Sequence, residues 1–172
     1  SWRALPAALA TLWIAAAAAG TPGVLHRTSG AEPPSLDPTL GSGTLAAPML
    51  SDMVEGLVAR TPAIKPVPGA AEAWTVSPDG LTYTFRLREG LRWSDGRPLV
   101  AEDFVYSYRR LLDPATGAST AGLFQFLANA REITRKAAPP ETLGVAAPDP
   151  RTVVFTLATP APYFLQLLAN TQ

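Results

Sequence analysis

A catalytic or metal-binding reading of this sequence has few places to start. They are His26, the adjacent carboxylates Glu102 and Asp103, the aspartates Asp79, Asp95, Asp113 and Asp149, and the triplet Gly41-Ser42-Gly43. His26 is the one histidine in 172 residues, so it has no second imidazole to share a metal and no matching nucleophile to serve as base. A hydrogen-bonded structural role fits it better. The four aspartates each lie beside Gly or Pro, where the short carboxylate bonds local backbone N–H groups in turns. Glu102 and Asp103 stand in the first turn of an expected helix, where negative charge complements the helix dipole. The Gly-Ser-Gly triplet lacks the Lys-Ser/Thr pair and the spacing of a phosphate loop. No cluster of His, Asp and Glu has metal-site spacing. These residues point to no catalysis, no metal and no cofactor.

The bulk composition narrows the alternatives. Apolar residues make up 47% of the chain, enough for a core, so its 18 prolines mark turns and not general disorder. Fourteen basic and fourteen acidic residues balance, which removes the electrostatic argument for nucleic acid or an anionic membrane surface. The chain has no cysteine, which excludes disulfides, thiolate catalysis, Cys-ligated zinc and a lipid-modified N-terminal cysteine.

The start, "SWRALPAALATLWIAAAAAG", differs in kind. One positive charge at Arg3, an apolar run from Ala4 to Ala19 and small residues after it have the layout of a secretory signal over 1–20, with export expected. The run is short for a bilayer span of about 20 apolar residues. The alternative is an Ala-rich helix, amphipathic or buried. Ser1 in place of Met suggests an earlier natural start.

The elements that must position these residues follow from periodicity. A short strand is expected at Val24–Leu25, then loop through Gly43. Leu45, Met49, Met53, Leu57 and Val58 at near-helical spacing predict a helix from about Pro48 to Leu57, with Pro48 in its first turn. "TPAIKPVPGAAEAW" reads as connector. Leu81, Tyr83, Phe85 and Leu87 alternate with polar residues, a half-buried strand that "SPDG" joins to a partner carrying Trp74 and Val76. Leu91 and Trp93 begin a short strand, "SDGRP" turns the chain, and a helix starts near Ala101. Its apolar stripe is Phe104, Val105, Tyr108, Leu111 and Leu112, and Asp113-Pro114 stops it. Val100 is a poor N-cap. Phe104 and Tyr108 are expected to face the hairpin and bury against Trp93 as a core anchor. A short helix is expected in "AGLFQFLANAREI", two strands around a turn at Pro148–Pro150, and a last helix in "PAPYFLQLLAN". The fold class is α+β.

In this order, "SLDPTL", "EGLV", "PGAAEAWTVSPDGLTYTFRLREGLRWSDGRPLVAEDFVYSYRRLLDP" and "APYFLQLLA" resemble the periplasmic oligopeptide-binding proteins of ABC importers, the extracellular solute-binding proteins of the peptide/nickel group, family 5. The resemblance runs from about Val24 to Ala169. It implies a two-lobed periplasmic-binding-protein-like fold, of which this chain is an N-terminal fragment: residues 24–50 a piece of the first lobe, and residues 51–172 most of an additional inserted α+β domain. It implies capture of a peptide ligand, delivery to ABC importer permease subunits at the membrane, a periplasmic location and a monomer. Nucleic acid is not an expected partner. In the oligopeptide-binding branch the segment after "SLDP" pairs with the peptide backbone by strand addition; the matching residues here are Ser42, Gly43 and Thr44. Ser42 stands where the branch places an acidic side chain, and Thr120 where it places a tyrosine contact. The family's acidic partner for the peptide amine lies in the other lobe, outside this chain. A relative taking a nickel chelate, an opine-like compound or a glycoside is the alternative, with a sensor fused to a DNA-binding segment after it.

Overall fold

The computed structural model describes residues 31–41 and 45–170. His26, the expected Val24–Leu25 strand and the segment Ser42–Thr44 lie outside them. Helix α1 spans Ala46–Met53, shorter than the expected 48–57 but with Pro48 in its first turn. Its buried residues are Ala46 and Leu50; Met53 is exposed. Leu57 and Val58 do not continue the helical face. They are buried where the chain has become extended, Val58 opening strand β1 (Val58–Arg60). The apparent helical spacing there came from two elements adjoining in sequence.

The expected connector holds structure of its own. Strand β2 (Pro66–Pro68) pairs antiparallel with β1 in a two-stranded ribbon. Two prolines that cannot donate to a ladder confine β2 to such an edge. Strand β3 (Ala71–Val76) and strand β4 (Thr82–Leu87) then form the expected hairpin. The Ser77–Gly80 turn closes it with the Gly80 amide donating to Ser77 O at 2.9 Å and Gly80 at φ 69°, a left-handed backbone that suits glycine.

After the hairpin, residues 91–99 form a smaller one: Trp93 N donates to Arg97 O at 2.9 Å and Leu99 N to Leu91 O at 3.0 Å. Helix α2 (Ala101–Leu112) follows at the expected place. Valine offers no capping oxygen, and the helix start is closed from within: Asp103 Oδ2 accepts the Val100 N–H at 2.9 Å, the reciprocal half of a capping box. Where one short helix was expected in residues 121–133, there are two pieces. A 3₁₀ turn covers Ala121–Phe124, Leu127 bridges to Leu157, and α3 (Ala130–Thr134) starts after Asn129 in the left-handed region. Strands β5 (Val145–Asp149) and β6 (Thr152–Thr156) and helix α4 (Phe164–Asn170) complete the order.

The larger sheet runs β3-β4-β6-β5. Pro148 falls on its edge strand beside a register shift between Ala146 and Asp149, where a missing donor and a bulge are tolerated. One face is apolar: Tyr83, Phe85 and Leu87 from β4, Val153 and Phe155 from β6, and Val145 from β5 are all buried. Phe164 from α4 packs edge-on to Phe155 at 5.3 Å and to Tyr83 at 4.8 Å, and Tyr108 from α2 to Phe155 at 4.9 Å. Such edge-to-face pairs suit the ring quadrupoles.

The sheet-facing stripe of α2 is Ala101, Val105, Tyr108 and Leu112, with Ala101, Val105 and Leu112 fully buried. Phe104 and Leu111, expected in that stripe, are only partly buried and turn towards an open-sided cavity. Trp93 is not a core anchor. It is 40% exposed, and its indole Nε1 donates to Asp103 Oδ2 at 3.2 Å. The 91–99 hairpin stands beside the helix start and not over the sheet, so the core is sealed by Phe124, Phe155 and Phe164 instead.

Candidate functional site

The space beside α2 is the best-formed concavity among the described residues. It measures about 560 Å³, within the range of small-molecule sites. Its walls come from three directions. Leu91, Trp93 and Leu99 belong to the 91–99 hairpin; Phe104, Tyr108 and Leu111 project from α2. The stretch after α1, from Val54 to Leu57, closes another side. Thr120, Pro38, Thr39, Ala70, Phe124 and Leu168 also line it. The wall is mainly apolar, with hydroxyls at Thr39, Ser94, Ser107 and Thr120, carboxylates at Glu55 and Asp103, and the Arg92 guanidinium, which donates to Gly96 O at 2.8 Å.

These polar groups are mostly committed. Asp103 Oδ2 serves Val100 N and the Trp93 indole. Ser107 Oγ donates to Asp103 O at 2.8 Å. Glu55 pairs with Arg88. Burial pushes the Tyr108 phenol well above its ordinary value, so it stays neutral and acts as an aromatic surface. No pair here resembles a nucleophile and its base, and no group of three metal-ligating residues occurs among the described residues. Such a wall suits an apolar group with a few hydrogen bonds at its rim.

The turn at 35–41 is built by Asp37. Its carboxylate accepts the Thr39 N–H at 2.9 Å, and its carbonyl accepts Leu40 N at 3.0 Å and Gly41 N at 2.6 Å. Ser35 Oγ accepts the Asp37 N–H at 3.0 Å. From α2, Arg110 donates to both Asp37 oxygens, to Oδ1 at 2.8 Å, and to Thr39 Oγ1 at 3.1 Å. The Arg110 hydrogen bonds hold the Asp37 pKa down at about 2; burial opposes them, and the turn amides and the Arg110 charge add to the lowering.

Of the residues singled out in sequence, Thr120 lies on the cavity wall just before the 3₁₀ turn, where its carbonyl accepts the Leu123 N–H at 2.9 Å. Ser42, Gly43 and Thr44 lie outside the described residues. The Asp37–Arg110 pair is not legible in sequence: Arg110 falls in the last turn of α2, where any basic residue suits the helix dipole, and the two are 73 positions apart. Asp103 was read as a dipole charge alone, although an acid three residues after a helix start is a capping signal.

Comparison with known proteins adds four findings. The family model described as bacterial extracellular solute-binding proteins, family 5 Middle, matches residues 65–172. The periplasmic oligopeptide-binding protein OppA of Salmonella typhimurium is 41% identical over 85% of this chain, which spans 27% of that protein. The probable deoxycholate-binding periplasmic protein YgiS of Escherichia coli is 37% identical over 98% of this chain, which spans 32% of it. Among solved structures, Haemophilus influenzae OppA in complex with RPPGFSPFR superposes with a TM-score of 0.78 at 39% identity, covering 83% of this chain and 28% of that one. The chain therefore spans about a third or less of the length of these relatives.

Proposed function

This chain belongs to the bacterial extracellular solute-binding proteins, family 5, and from that membership we propose that it is part of the substrate-binding component of an ABC importer, which captures oligopeptides in the periplasm and hands them to the membrane permease. The observation that carries this reading is the likeness to a solved OppA–peptide complex, at 39% identity and a TM-score of 0.78. In this account residues 1–20 direct export, residues 24–50 belong to a ligand-binding lobe, and residues 51–172 are most of the additional domain. The protein works as a monomer.

Ligand contact is assigned to Ser42, Gly43 and Thr44, by backbone pairing with an extended peptide, and to Thr120. The position of Thr120 in the lining of a mainly apolar cavity that Thr39 also lines supports its part in this. A threonine there leaves more room than a tyrosine, which fits a solute with a bulky apolar group.

A second reading has a specific observation behind it. The relative named for probable deoxycholate binding aligns with 98% of this chain, and a rigid apolar solute also suits the wall. Native mass spectrometry of the exported protein isolated from its own cells separates the two. Bound masses of short peptides are expected; a bile-acid mass with no peptide overturns the first reading in favour of the second.

A further inference from the structure

Arg110 makes a tertiary contact that its place on a half-exposed helix end does not explain. The turn at 35–41 has little apolar packing of its own: Leu36 is 45% exposed and Leu40 43%. Two features tie it to the rest of the fold. Gly41 lies so close to α1 that an added Cβ would stand 2.8 Å from Leu50 Cδ1 and 2.9 Å from Asp37 O, so the backbone is pressed against the helix there. Arg110 holds the other side through both Asp37 oxygens and Thr39 Oγ1.

We propose that Arg110 is a positioning residue for solute capture: its guanidinium fork fixes the 35–41 turn so that Pro38 and Thr39 keep their place on the cavity wall that Thr120 also lines. The proposal rests on the reading of that wall as ligand-facing. An ion pair about 30% exposed on each side adds little to stability. A bidentate fork on a carboxylate, however, sets orientation as well as distance. Thr39 receives the same guanidinium and donates its own N–H to the same carboxylate, so its side chain and backbone are both fixed by the pair. A lysine would keep the charge but has no planar fork to span both oxygens and the hydroxyl.

The test uses Arg110→Lys and, as a second variant, Asp37→Asn in the complete solute-binding protein. Three quantities are read: affinity for a peptide pool, the thermal midpoint, and amide exchange at Thr39, Leu40 and Gly41. The proposal expects R110K to keep the wild-type midpoint, to bind about tenfold more weakly, and to exchange faster at those three amides while β4 and β6 are unchanged. D37N is expected to bind more weakly too, and the double variant no worse than the weaker single one. Wild-type affinity in R110K, or a loss that only tracks the midpoint in both variants, overturns it. A wild-type protein that takes up no peptide overturns the capture reading itself, a separate result from wild-type binding that R110K leaves intact.

Discussion

Phe85 and Trp93 are both large aromatics in the stretch that holds this fold, yet their surroundings set them apart. Phe85 is fully buried between Phe155, at 5.7 Å, and Trp74, at 6.2 Å. Trp93 keeps 40% of its surface and one indole hydrogen bond. Phe85→Ala should therefore cost about 3–5 kcal/mol of stability, a large share of the roughly 5–15 kcal/mol typical of a domain. Trp93→Ala should cost about 1–2 kcal/mol, from one hydrogen bond and partial burial. Urea midpoints of the two variants check this, and a Trp93 loss as large as that of Phe85 contradicts it. The sequence leads to Trp93 as a core anchor, which the structure does not bear out. Residue type says that tryptophan carries much apolar surface, but not that its N–H will be drawn to a carboxylate at a helix start. The Asp37–Arg110 pair was illegible for a different reason: nothing local marks two residues 73 positions apart as partners.

Elements with a strong period were legible. The alternation through β4 and β6 and the stripe on α2 each predict an element of the right kind in the right place, because burial on one face demands that spacing. Short elements were not. The β1–β2 ribbon is three residues on each side and carries two prolines, so it offers no period to read. The split between the 3₁₀ turn at 121–124 and α3 follows from the Leu127–Leu157 bridge, a tertiary contact. Helix α2 supplies a prediction at this scale. Asp103 closes the helix start by accepting the Val100 N–H, so Asp103→Ala should cost about 0.5–2 kcal/mol, the usual effect of losing a cap. It should also release the Trp93 indole. Asp103→Asn keeps an acceptor oxygen and should lose less. Thermal unfolding followed by tryptophan fluorescence reads both effects, and an Ala variant as stable as wild type would rule out the capping role.

For the molecule as a whole, the four-stranded sheet and its helices form a scaffold beside a cavity, and the described residues contain no assembled catalytic group. Family membership was legible from the long ordered pattern from Pro68 to Pro114, while the ligand was not, because the resemblance itself implies departures at Ser42 and Thr120 from the branch that binds oligopeptides. The backbone pairing proposed for Ser42–Thr44 would offer hydrogen bonds of about 0.5–1.5 kcal/mol each, net of water. Association costs about 4–15 kcal/mol in lost freedom. This chain by itself should therefore not hold a peptide; under the proposed reading, closure of a two-lobed protein around the ligand would supply the rest. The direct measurement is calorimetry with a pool of two- to five-residue peptides, run on this chain and on a complete two-lobed protein that carries it. Saturable heat from the complete protein and none from the chain alone is the predicted result. Micromolar binding by the chain alone, or no peptide heat from the complete protein while deoxycholate titrates it, would contradict the account.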